Sequence, residues 1–64
     1  MRLSIEEMEK VISDFVGERV VFEGQDSHAI YFNSERSEYK LVIDQEEESL
    51  FEREHGKEDW QIVF

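Results

Sequence analysis

Ile5, Met8, Val11, Ile12, Phe15 and Val16 recur at the spacing of one stripe along an α-helix. Ser4 stands where an N-cap hydroxyl would accept a backbone N–H, and Glu7, three residues on, completes a capping box. Leu3 and Met8 occupy the two positions that clamp the chain as it approaches such a cap. Glu6 and Glu7 place negative charge in the first turn, where the helix dipole favours it. Gly17 can adopt the left-handed backbone that ends a helix. The spacing therefore predicts a helix over residues 5–16.

Beyond Gly17 the period shortens to that of a strand. Five runs follow: Arg19–Glu23, His28–Phe32, Tyr39–Ile43, Ser49–Glu54 and Trp60–Phe64. Gly24–Ser27, Asn33–Ser37, Asp44–Glu47 and His55–Glu58 separate them and are rich in turn-forming residues. Such short connections leave no room for crossover helices, so neighbouring strands should pair antiparallel. The expected fold is α+β: one N-terminal helix packed on a four- to five-stranded antiparallel β-meander, a single domain over residues 1–64. The helix stripe has only the sheet to pack against. Its facing residues should be Val20, Phe22, Ile30, Phe32, Tyr39, Leu41, Ile43, Leu50, Trp60, Ile62 and Phe64. Alternation sends Val21, Tyr31, Val42, Phe51 and Val63 to the opposite face. A solvated sheet face is normally polar, so this apolar row is a candidate contact surface for a partner or a second copy.

A chain of 64 residues buries only about 60% of its unfolded surface, which leaves a thin stability margin. Cysteine is absent, so disulfides do not supplement the core; five Phe, two Tyr and one Trp must supply much of it. The N-terminus reaches acidic residues too early for the apolar run of a signal peptide, and no stretch matches a membrane span. The cytoplasm is the expected compartment.

Charge alters the picture most. Seventeen Asp and Glu stand against seven Lys and Arg, a formal net charge of −10. A surface of this kind repels nucleic acid and anionic lipid and attracts basic proteins. Catalytic patterns are missing from the sequence. It has no Cys or Thr, and its three glycines lie too far apart to form a phosphate loop. His28 and His55 lack metal-pair spacing, and Ser27 beside His28 is no dyad because adjacent strand residues point to opposite faces. Asp44-Gln45-Glu46 lacks the rest of a calcium loop. Neither enzymatic activity nor a metal or other cofactor is expected.

The acidic residues are the better candidates. Glu52 and Glu54 share one face of the fourth strand, about 6–7 Å apart at the usual rise, comparable with neighbouring phosphates on a nucleic-acid strand. Glu46, Glu47 and Glu48 precede them, and Glu58 and Asp59 follow across the Gly56 turn. These seven carboxylates form the candidate partner site, presented to a basic protein such as a nucleic-acid-binding enzyme. Reversing Glu52 and Glu54 to Lys should then abolish binding and leave the fold intact. The alternative is a homodimer or partner interface built from Val21, Tyr31, Val42, Phe51 and Val63. In size, composition and α+β character the chain is similar to the small acidic DNA-mimic inhibitors of phages and mobile elements, such as uracil-DNA glycosylase inhibitors and some anti-CRISPR proteins. That similarity covers no aligned residues and assigns no site.

Overall fold

The computed structural model describes residues 4–44 and 47–64. Helix α1 spans Ile5–Val16. The Ser4 hydroxyl accepts from the Glu7 N–H at 3.1 Å, and the Glu7 carboxylate accepts from the Ser4 N–H at 3.1 Å, closing the capping box. At the other end Gly17 adopts φ 78°, and its N–H donates to the Ser13 carbonyl at 2.9 Å. The cap and stop read from the sequence are present, but the stripe is only partly buried: Ile12 lies in the core with Met8 and Val16 against it, while Val11 (52%) and Phe15 (57%) stay exposed. Of the two clamp residues, Leu3 lies outside the described residues, while Met8 packs against the core.

Five strands follow, β1 Val21–Gln25, β2 Ala29–Asn33, β3 Ser37–Asp44, β4 Glu47–Glu54 and β5 Gln61–Ile62. They form one antiparallel sheet in the order β1-β2-β3-β4-β5, so β1 and β5 are its edges. The α+β meander is as expected, with different strand limits. β1 starts two residues later than its apolar run, at Val21, which pairs with Asn33 at the end of β2 while the Val20 N–H is taken by Ser13; a shift in pairing between Phe22 and Gly24 then carries the ladder on to Gln25. In the following turn the Asp26 carboxylate accepts from the N–H groups of His28 (2.8 Å) and Ala29 (2.9 Å) and from the Tyr31 hydroxyl (2.9 Å). These bonds favour the ionised carboxyl and hold Asp26 below its ordinary range, the His28 and Ala29 amides contributing most.

The core lies between α1 and the sheet. Ile12, Val20, Phe32, Tyr39, Leu41 and Leu50 are buried together, with Met8, Val16, Ile30 and Val63 packed around them. Register fixes the two sheet faces. Ile30 pairs with Leu41 and Phe32 with Tyr39, while Leu41 pairs with Leu50 and Tyr39 with Glu52, so these side chains share the helix side.

Strand β5 corrects the expected face assignment. Phe51 pairs with Ile62, which puts Ile62 on the outer face with Phe51. Trp60, two residues away, lies under Lys40 and Arg53 on that same face. Val63 therefore belongs to the helix side, where it packs on the core, and is not part of the outer row. Phe64 does meet the helix, its ring 5.2 Å from that of Phe15 in an edge-to-face contact.

The helix also reaches one sheet edge. The Glu9 carboxylate accepts from the Phe22 N–H of β1 at 2.6 Å, and the Ser13 hydroxyl accepts from Val20 N–H at 3.0 Å. An edge strand presents unpaired backbone groups that invite other chains. On β1, Glu9 occupies one of them.

Candidate functional site

Strand β4 carries the acidic residues nominated from sequence, and its extended backbone separates them. Glu52 and Glu54 point to the helix side at one end, opposite Tyr39 and Ser37 of β3. Glu47 and Glu48 lie at the other end, paired with Asp44 and Ile43. Glu46 falls outside the described residues. At the first end the chain reverses through Gly56, whose φ is 87°, and the Lys57 N–H donates to the Glu54 carbonyl at 3.0 Å. A positive φ suits glycine, and the turn it permits carries Glu58 and Asp59 back towards β4.

The result is an open groove of about 350 Å³ lined by Ser37, Glu52, Glu54, Lys57, Glu58, Asp59 and Gln61. Four carboxylates face one ammonium group there. Glu48 instead borders a second groove, of about 580 Å³, beside Met8, Ile30 and His28. The structure thus gathers Glu52, Glu54, Glu58 and Asp59 and leaves Glu47 and Glu48 apart. Among the described residues, no group of three or more acidic or His side chains is arranged to hold a metal ion.

Glu52 is tied to the fold as well as to the groove. The Tyr39 hydroxyl lies 3.0 Å from Glu52 Oε2 and 3.1 Å from Glu18 Oε2. It has one hydrogen to donate, so it serves one carboxylate at a time. Burial, then the two carboxylates, push the Tyr39 hydroxyl well above its ordinary pKa. Glu18 is largely enclosed, its side chain 15% exposed. Burial by itself raises its carboxyl; the Ser34 and Tyr39 hydroxyls and the Arg36 guanidinium more than offset this and leave it below the usual range. The Ser34 hydroxyl donates its hydrogen to the Ser37 carbonyl at 2.9 Å and accepts from the Ser37 N–H at 2.9 Å. Reversing Glu52 to Lys would break the Tyr39 contact. The expectation that a Glu52 and Glu54 reversal leaves the fold intact is therefore replaced: Glu58 and Asp59, both exposed, are the cleaner positions to change.

His55 holds the strand end in place. Its N–H donates to the Arg36 carbonyl at 3.0 Å, and its Nε2–H donates to the Ser34 carbonyl at 2.9 Å. A carbonyl only accepts, so Nε2 carries a proton. His55 thus pins the β2–β3 turn to the end of β4.

The outer face differs in character. Val21, Tyr31, Val42 and Phe51 lie there, as expected for the alternative interface, joined by Trp60 and Ile62. Lys40 crosses the row, its Nζ 4.5 Å from the Trp60 ring centre and 5.4 Å from that of Phe51. Arg53 Cζ stacks 4.6 Å from Trp60 and its Nε donates to Glu38 at 2.9 Å. Contacts of this kind are worth about 0.5–1 kcal/mol at exposed sites. Sequence reasoning missed this cluster because it assigned Trp60 to the core; Phe51 and Arg53 on one face of β4, with Lys40 opposite Phe51 on β3, was the signal available.

No family profile matches the chain, no curated protein sequence matches it, and no solved structure matches it. No described helix is long and apolar enough to cross a membrane.

Proposed function

We propose that this protein is a non-catalytic binding domain whose acidic groove engages a basic surface of another protein, in the manner of an inhibitor that mimics nucleic acid. The observation that carries the reading is the convergence of Glu52, Glu54, Glu58 and Asp59 on one open groove. The net charge of −10 supports it, because a field of that sign steers basic partners towards the molecule. A nucleic-acid-binding enzyme is the partner class that best suits a groove gathering four carboxylates, and the cytoplasm is the compartment in which we place the pair.

Affinity capture from lysate at low and high salt, with duplex DNA as competitor, tests this. Capture of a nucleic-acid-binding protein that is lost at high salt, on DNA addition and in a Glu58→Lys/Asp59→Lys variant is the expected outcome. A partner retained equally by that variant would remove the groove from the account.

A second reading rests on the outer face, where Ile62 is 67% exposed beside Phe51 and Trp60. There the domain associates with a copy of itself or a partner through Val21, Tyr31, Val42 and Phe51. A light-scattering mass that stays monomeric at high concentration, unchanged by Phe51→Glu, would remove self-association.

A further inference from the structure

The two sheet edges are treated differently. At β1, Glu9 reaches from the helix and takes the Phe22 N–H. At β5, the Val63 N–H donates inward to the Leu50 carbonyl at 2.7 Å. Backbone groups alternate in direction along an antiparallel strand, so those of Ile62 point away from β4. Apolar side chains are exposed on both sides of this edge: Ile62 on the outer face, and Phe15 (57% exposed) with Phe64 (47%) on the helix side. The acidic groove adjoins it, since Gln61 of β5 is one of its walls.

We infer that the β5 edge accepts an extended basic segment of a partner protein as a sixth strand. Strand addition takes affinity from main-chain hydrogen bonds and specificity from alternate side chains. A residue opposite Gln61 points to the helix side, where a Lys or Arg reaches Glu52, Glu58 and Asp59. A residue opposite Ile62 points outward, where an apolar side chain meets Ile62 and Trp60. The occupant thus alternates basic and apolar residues. Charge selects it over a second copy: two β5 edges paired about a twofold axis perpendicular to the sheet would set their acidic grooves on the same face, with like charges adjacent. The inference rests on the proposed role of the groove and adds the way its partner is held.

The test uses the whole chain, isotopically labelled, and a synthetic alternating Lys/Val peptide of about six residues, a usual strand length. Two control peptides accompany it, one N-methylated at alternate amides and one with Glu in place of Lys. The expected result is slowed hydrogen exchange at the Ile62 amide on binding, with affinity lowered about tenfold or more by N-methylation and abolished by Glu, a tenfold loss corresponding to about 1.4 kcal/mol. Equal binding of the N-methylated peptide, or shifts confined to Lys40, Phe51 and Trp60, overturns strand addition. If that binding still falls with salt and in Glu58→Lys/Asp59→Lys, the acidic-groove reading survives; if neither lowers it, both readings fall. Sedimentation showing a dimer that protects Ile62 without peptide assigns the edge to a second copy and overturns the inference.

Discussion

Tyr39 carries one hydroxyl hydrogen and faces two carboxylates, one from the segment after the helix and one from β4. Tyr39→Phe should cost about 1.5–3 kcal/mol, the usual worth of a hydrogen bond to a charged group, measured by urea unfolding near neutral pH. The pH dependence has a definite sign. The folded state raises the hydroxyl's pKa, so its contribution is complete below the unfolded value of about 10 and is lost as pH rises towards the folded one. The stability gap between wild type and Tyr39→Phe should therefore narrow in alkali, followed by Trp60 fluorescence. Tyr39 was legible from alternation as a core residue. Its partners were not equally so: Glu52 is its neighbour across the sheet, whereas Glu18 is 21 residues away and meets it only through the packing of the helix on the sheet.

Elements differed in how openly the chain declared them, according to where their determinants lie. Everything that bounds α1 is local: the Ser4–Glu7 cap, the apolar stripe and Gly17 sit within one short segment. Ser4→Ala should cost about 1 kcal/mol, the usual worth of an N-cap, without shifting the far end of the helix; thermal melting and amide chemical shifts would report both. Strand β5 stands at the other extreme. Four of the five residues from Trp60 to Phe64 are apolar, so either face assignment satisfies alternation. The choice is made by the pairing of Phe51 with Ile62, a contact across the Gly56 turn. At β1 the register shift after Phe22 moved the strand's far limit to Gln25, and a single extra residue of that kind leaves little trace in an apolar pattern.

At the scale of the whole molecule, the charge was plain in the sequence but its distribution was not. The seven nominated carboxylates run close together in the chain, yet the length of β4 separates Glu47 and Glu48 from the groove at its other end. The molecule measures 33 Å along its longest axis. In very dilute salt, about 0.01 M, the screening length is near 30 Å and every charge feels the rest; at about 0.1 M it falls to roughly 10 Å. A net charge of −10 opposes compaction. The melting temperature should therefore rise over this range of salt, while affinity for any basic partner falls, two opposite trends from one cause that calorimetry and titration would register on the same sample. The bond from Glu9 to the Phe22 N–H has an outcome of another kind. That amide sits in a strand but is held by a side chain of the helix, so the helix can lift away and free it while the ladder stays closed. Its deuterium uptake should track helix undocking and run ahead of the β1 amides that pair with β2 when Ser4 is replaced, a built-in clock for the release of the helix from the sheet.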